Sequence, residues 1–444
     1  MPQEPVSDVV SFPRDPVTAL DNPASKAARH DPYAALRIRD YRLFWAGWVM
    51  SVIGQQIQEV AVGWDIFNRT RAEAKINPLL ALGLIGGVIA IPIIALAIPA
   101  GELADRFDRR KIIVLSMIGA ATTAVWLAWL SHAHGSLPLM YLCLFLGACA
   151  SALGWPARSA FVPQIVPAAV FSNAATWNST GFQISSMAGP AIGGLILYWS
   201  IPLAYLASAG CFLAFGAFLC FLDAKPPVRK PQPLTLDSLA IGIRFVFANG
   251  IILATISLDL FAVLLGGATA LIPAFAKDIL HTGAGGFGVL RAAPAVGALV
   301  MGLWLAHRPP MNKAGRNMIV AVVGFGLATI VFGLSRDFWL SFLALLMTGA
   351  CDSVSVIVRH TLVQLLTPDS MRGRVSAVNN IFIGASNEIG GLESGITGAL
   401  LGAVRSVVLG GIGTLAAVGA VAAAWPEVLR FGSLKDARPI EDQA

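Results

Sequence analysis

From about residue 43 to residue 425 the chain alternates long apolar runs with short polar breaks. We read twelve runs, over 43–67, 78–100, 112–131, 137–157, 172–198, 201–222, 250–274, 284–306, 317–335, 337–359, 375–402 and 406–425. A stretch of about 20 apolar residues crosses a bilayer as a helix. Inside the hydrocarbon each backbone polar group must be satisfied within its own helix. The pattern therefore predicts an all-α polytopic membrane protein with twelve transmembrane helices. An even number of spans puts both termini on one side. Residues 1–40 are polar and rich in Pro, with no apolar core of a cleaved signal, and read as a disordered tail. A second tail covers 426–444. The longest internal break, 223–249, opens Pro-rich and basic, then turns amphipathic from Leu236 to Phe247, as a helix lying along the membrane surface would. It separates two blocks of six spans, 41–222 and 250–425.

Composition agrees: 56% of residues are hydrophobic and 13% are charged, against about 25% charged in a soluble protein. The net charge of +6 is not a nucleic-acid footprint, because the charges lie in the breaks between spans. Arg69, Arg71, Lys75, Lys277, Arg336 and Arg405 fall on one side and Arg291 lies within a span, while the other Lys and Arg fall on the side of the termini. The positive-inside rule then makes both termini cytoplasmic. The five cysteines, Cys143, Cys149, Cys211, Cys220 and Cys351, sit in apolar runs without metal-ligand spacing. His132 and His134 form an outer pair with no third ligand in view. No metal and no cofactor is expected.

The two blocks are related. At an offset of 201 residues Arg158 meets Arg359, Val162 meets Val363, Pro167 meets Pro368 and Asn178 meets Asn379, with Ser185–Ser386, Gly189–Gly390 and Gly194–Gly395 beyond them. This predicts two pseudo-symmetric six-helix halves, an arrangement that places a substrate site between them.

Three features carry candidate chemistry. The break between spans two and three reads "GELADRFDRRK", Gly101 to Lys111. Orientation explains Arg106, Arg109, Arg110 and Lys111 but needs neither Gly101 nor Asp105, so we expect a tight turn holding a carboxylate near cations and helix ends. At the same offset the second block reads "GLWLAHRPPMN", keeping the glycine as Gly302 and replacing the acid with Ala306. In span five Gly181, Ser185, Gly189, Pro190, Gly193 and Gly194 form a small-residue groove for close helix approach, with a kink expected at Pro190. Span eleven repeats it as Ser386, Gly390, Ser394 and Gly398. Ionisable residues within spans are costly and so read as functional. They are Glu59 and Asp65, Asp259, Arg291, Asp352, and Glu388 and Glu393, while spans three, six, nine and twelve hold none. Ser51, Gln55, Gln58 and Glu59 are expected on one helical face, with Glu59 as the proton-carrying or substrate-contacting group or, in the plainer reading, the partner of Arg291. Asp259 is a second coupling candidate. Asp65 reads as interfacial. Asp352 is placed with Arg359 at a cytoplasmic gate. Glu388 and Glu393 point to different faces, so at most one meets a cavity.

"GELADRFDRRK" resembles the signature loop of the major facilitator superfamily, matched at Gly101, Asp105, Arg106, Arg109, Arg110 and Lys111 and departing at Asp108, where the superfamily usually has glycine. The resemblance implies the major facilitator fold, with this loop latching the halves and Asp105 meeting the cytoplasmic end of span eleven. "GPAIGG" resembles the span-five motif of exporters, mostly proton antiporters. "DYRLFWAGWVMSVIGQQIQEVAVGW" and "MRGRVSAVNNIFIGASNEIG" resemble the bacterial branch of enterobactin exporters and transmembrane secretion effectors. That branch implies a monomeric, proton-coupled exporter of a small amphipathic siderophore- or drug-like molecule, in the bacterial inner membrane. A lipid or lysophospholipid mover on the same fold stays open. A receptor or enzyme is disfavoured, because no phosphate loop, metal constellation or nucleophile elbow is present.

Overall fold

The structure, a computed structural model, describes residues 31–223, 236–266, 268–307, 311–368 and 371–432. The polar tail expected over 1–30, the basic start of the break at 224–235 and most of the second tail, 433–444, lie outside them. The fold is all-helical, and the described residues contain no strand. The helices are α1 (Arg39–Glu73), α2 (Pro78–Ala95), the shorter α3 (Ala97–Arg106), α4 (Arg109–His132), α5 (Leu137–Ile165), α6 (Phe171–Trp199) and α7 (Ile201–Cys220), followed by α8 (Leu236–Ala248) and α9 (Gly250–Leu265). After a short 3-10 turn, α10 (Ile272–Ala274) runs into a π-helical turn over Phe275–Ile279. Then come α11 (Ala284–Ala306), α12 (Ala314–Leu334), α13 (Phe338–Leu366), α14 (Arg372–Leu401), α15 (Ala403–Ala424) and the short α16 (Pro426–Arg430).

Local chemistry sets the boundaries. Asn77 caps α2 through Leu79 N at 2.9 Å, with Pro78 at the first helical position, and Asp337 caps α13 through Leu340 N at 2.8 Å. Gly402, at φ +89°, supplies the left-handed conformation that turns the chain from α14 into α15. The tail expected through residue 40 is ordered from Asp31. Asn173 accepts from Ala35 N at 2.9 Å and donates to Pro32 O at 2.8 Å, and Trp177 Nε1 donates to Pro32 O at 2.9 Å. These bonds pin the segment to the start of α6.

Nine stretches among the described residues are long and apolar enough to cross a membrane. The α9 to π-turn stretch, Gly250–Ile279, counts as one of them. Three other long helices, α1, α6 and α14, are not among the nine. Their sequences carry the charged and amide residues of α1, the Ser, Thr and Asn residues of α6, and Glu388 and Glu393 of α14. Those are the helices that a polar interior would need.

Pairing is regular. α1 packs on α6 and α7, α4 on α5 and α7, and α2 on α5; α9 packs on α14 and α15, α12 on α13 and α15, and α11 on α13. Two extensive contacts join the first set of helices (α1–α7) to the second (α9–α15): α2 on α14 and α6 on α11. Each runs over glycines. A Cβ on Gly83 would lie 2.7 Å from Gly395 Cα, and one on Gly194 would lie 2.7 Å from Gly288 Cα. Small residues let helix backbones approach this closely.

The buried apolar side chains form three clusters. One draws on both sets, including Ile57 to Phe67 of α1, Leu82, Phe275, Phe287, Leu290, Phe332 and Val407. The second, around Tyr41, Phe44, Phe161 and Phe215, belongs to the first set. The third, around Ile252, Met318, Val358 and Leu362, belongs to the second. The core is thus shared at one end of the bundle and divided at the end that carries the start of α1 and α16.

Candidate functional site

At the junction of the two sets, α1 and α11 meet through charge. Arg291 Nη2 donates to Glu59 Oε2 at 3.2 Å, and Gln55 Nε2 donates to Glu59 Oε1 at 3.2 Å. Their side chains keep 28% and 36% of their exposure, so this pair is not sealed in the core. One guanidinium therefore meets a carboxylate presented by the other set of helices. Glu388 is half-buried on α14, and its carbonyl oxygen is the atom nearest to a Cβ built on Gly86 of α2. Gln55 and Glu59 share a face because four residues complete slightly more than one helical turn.

The expected polar stripe on α1 divides. Gln58 lies about 100° of helical rotation from Glu59, and its Oε1 accepts from Ser208 Oγ on α7 at 3.1 Å. Ser51 is buried and bonds to Trp48 O at 2.8 Å. Glu393 is likewise turned from Glu388 and accepts from Ser394 Oγ at 3.4 Å.

A second charged group lies between α9 and α13. Asp259 pairs with Arg359, with side-chain exposures of 9% and 3%. Asp352 lines a small cavity with Asp259, Val322, Phe325, Cys351 and Ser355. Asp352 and Arg359, expected together at a cytoplasmic gate, lie seven residues apart on α13, and the carboxylate that pairs with Arg359 is the one α9 presents. Arg359 Nε has no hydrogen-bond partner among the described residues.

The segment Gly101–Lys111 is not the tight turn expected of it. Gly101 to Arg106 are helical in α3, and only Phe107 and Asp108 separate α3 from α4. Asp108, at φ −60° and ψ 113°, caps α4 through Arg110 N at 2.9 Å. With φ negative there is no need for glycine at this place, and Asp serves as an N-cap. Asp105 pairs with Arg109 at 3.4 Å. Arg109 also donates to Ala104 O and to Ala160 O of α5, each at 3.1 Å, and Arg110 donates to Cys220 O and Leu222 O at the end of α7 at 2.7 and 3.0 Å. Cations there satisfy open helix carbonyls. Arg106 pairs with Glu102, and Lys111 is exposed. The start of α14, which Asp105 was expected to meet, includes Arg372, whose side chain lies outside the described residues.

On α6, Gly181, Gly189 and Gly193 face α1. Added Cβ atoms there would come within 2.8 Å of Val49, 2.5 Å of Gln56 and 3.2 Å of Ile57. Ser185 Oγ donates to Gly181 O at 2.8 Å and to Val49 O at 3.2 Å. Pro190 and Gly194 face α11 instead: Pro190 O and Gly194 Cα are the nearest atoms to a Cβ built on Gly288.

The sequence reading missed the closure at the shared-core end. Lys277 Nζ donates to Asn68 Oδ1, and Arg71 pairs with Asp278. Trp64 stacks on Phe287 at 5.5 Å between centroids, and Lys277 lies 5.8 Å from the Trp64 ring. All of these cross from one set to the other. Asp65, expected near the outer end of its span, is 3% exposed, and Arg69 Nε donates to it at 2.8 Å. Arg69 also donates to Leu130 O, Ser131 O and Gly135 O. The available signal was that Arg71 and Lys277 are among the cations that membrane orientation does not explain. Among the described residues no cluster of His, Cys, Asp or Glu could hold a metal ion.

The model of the transmembrane secretion effector family matches residues 30–433. The chain belongs to that family, within the major facilitator superfamily. It is a multi-pass membrane transporter by that membership. It is 28% identical over 382 residues to the enterobactin exporter of Escherichia coli O1:K1 / APEC, covering 84% of this chain and 89% of the relative. The match to the enterobactin exporter of Shigella boydii serotype 18 has the same identity and coverage. Among solved structures it resembles a bacterial homolog of the human lysosomal transporter Spinster, inward-facing and occupied, with a TM-score of 0.71 at 14% identity over 89% of this chain and 97% of that one. It also resembles a D-xylose–proton symporter, with a TM-score of 0.68 at 14% identity over 89% and 99%. At such identity these likenesses speak for the fold alone.

Proposed function

We propose that this chain is a proton-coupled exporter of a small amphipathic organic molecule, working by alternating access in the bacterial inner membrane. The observation that carries the reading is the Glu59–Arg291 ion pair, which joins α1 to α11 where the two helix sets meet. Rocking one set against the other parts this pair, and a proton on the released carboxylate removes its cost. Glu388 of α14 is the second carboxylate proposed for the coupling role. Twelve spans in two six-helix halves are supported by the recurrence of the same helix pairing in both sets. α1, α6 and α14 then supply the spans that composition alone would pass over. Cytoplasmic termini are supported by the placement of Lys and Arg, and the divided core then makes this state inward-facing. Asp105 and the basic residues after it brace α3, α5 and α7 as one cytoplasmic end, which fits a gating part. The export direction and a siderophore-like substrate are supported by the relatives, which are exporters of enterobactin.

The test uses proteoliposomes with an imposed pH gradient and enterobactin as the probe. Wild type is expected to move the probe with a rate that follows the gradient. Glu59→Gln and Glu388→Gln are expected to lose that dependence. A wild-type rate indifferent to the gradient would remove proton coupling, and an unchanged dependence in both variants would remove these carboxylates from the coupling role.

A further inference from the structure

Arg158 and Arg359 are equivalent at the offset of 201 residues, and at the same offset Gln58 of α1 is equivalent to Asp259 of α9. In the second set the arginine is sealed and neutralised, since Arg359 is 2% exposed and paired with Asp259. In the first set the carboxylate is gone. Gln58 stands in its place, uncharged, with its Oε1 taken by Ser208. No carboxylate among the described residues lies within ion-pair distance of Arg158. The repeat has kept the cation and dropped its counter-ion.

An independent observation shows what the cation rests on. The Arg158 guanidinium lies 5.7 Å from the centroid of the Trp155 ring, and Trp155 is 62% exposed. Arg158 itself is half-buried. Both sit toward the end of α5 that Arg109 grips through Ala160 O, the end where the two cores are divided. A guanidinium on an exposed indole is a flat, positively charged platform. An unpaired, half-buried cation is relieved by a ligand that brings its own negative charge, and a ring on that ligand gains from the indole face.

We propose that Arg158 and Trp155 form an acceptor site for an aromatic organic anion, a carboxylate or acidic phenolate carried on a flat ring, at the open end of the bundle. The site names a substrate class for the exporter reading and rests on that reading only for the claim that the bound anion is cargo.

The experiment is calorimetric titration of the purified full chain in detergent, with 2-naphthoate as the anionic probe and 2-naphthamide as its neutral counterpart. Naphthoate is expected to bind, and naphthamide to bind at least about tenfold more weakly, the scale of one charge-assisted hydrogen bond. Arg158→Gln is expected to bring naphthoate down to the naphthamide level. Gln58→Asp restores the counter-ion of the other set and is expected to weaken naphthoate similarly, which keeps the test alive if the arginine variant does not fold. No naphthoate binding to wild type, or unchanged affinity in a folded Arg158→Gln or in Gln58→Asp, overturns the site. Loss of naphthoate binding in phosphatidylglycerol but not phosphatidylcholine nanodiscs would give the site to a lipid headgroup and overturn the organic-anion assignment. The enterobactin flux separates the two readings. Naphthoate binding without flux sinks export and keeps the site, and flux without naphthoate binding does the reverse.

Discussion

At Asp259 the carboxylate and the Arg359 guanidinium are both nearly sealed from solvent, so neither can recover hydration if the other is lost. Removing one partner of a buried pair costs about 3–5 kcal/mol, while replacing both by neutral groups costs far less. Asp259→Asn is therefore expected to lower the thermal midpoint of the purified protein strongly, and Asp259→Asn with Arg359→Gln to recover much of it. Additive losses in that double-mutant cycle would mean that the pair does not act as a unit. The sequence showed that these residues were intramembrane charges but not which would pair. Asp352 and Arg359 share α13 and were grouped at one gate, yet the carboxylate paired with Arg359 comes from α9, a choice made by packing between helices. On α1 the helical period brought Gln55 and Glu59 together in both readings. Gln58 was lost to α7 because one residue of rotation is enough to change neighbours.

Among the elements, the groove of α6 was legible as small residues at helical spacing, but not as two grooves. Gly181, Gly189 and Gly193 receive α1, whereas Gly194 receives Gly288 of α11. Gly194→Val is expected to force α6 from α11 and cost about 1–3 kcal/mol by overpacking. Its mark in the reconstituted transporter is reduced enterobactin flux in protein that still elutes as a single species. Normal flux would show that the crossing tolerates separation. The α3 helix was hidden for another reason. Its charges made it look like a turn, yet Glu102 and Arg106 are spaced four apart, a spacing that supports a helix.

For the whole molecule, the apolar pattern showed an all-helical membrane chain, and nine of its runs are helices long and apolar enough to cross a bilayer among the described residues. Which end would be shut could not be read, because conformational state depends on contacts between distant segments. The closure joins Asn68 to Lys277 and Arg71 to Asp278. In a background without the five native cysteines, Asn68→Cys with Lys277→Cys bridged by a bifunctional thiol reagent is expected to stop enterobactin flux, and each single variant treated alike to retain it. Flux through the bridged protein would show that this end need not open. Lys277 and Asp278 are neighbours in sequence, and both reach α1. In an α-helix neighbouring side chains diverge by about 100°. The π turn, closed by Leu280 N to Phe275 O at 2.8 Å, is wider and spreads them less. Chain length is thus a functional variable at this point. Deleting Ala276 is expected to return the turn to α geometry and carry one of the two charges off α1, so that a missing residue costs more flux than Ala276→Ser does. Equal flux from the two variants would mean that the count of residues there is immaterial.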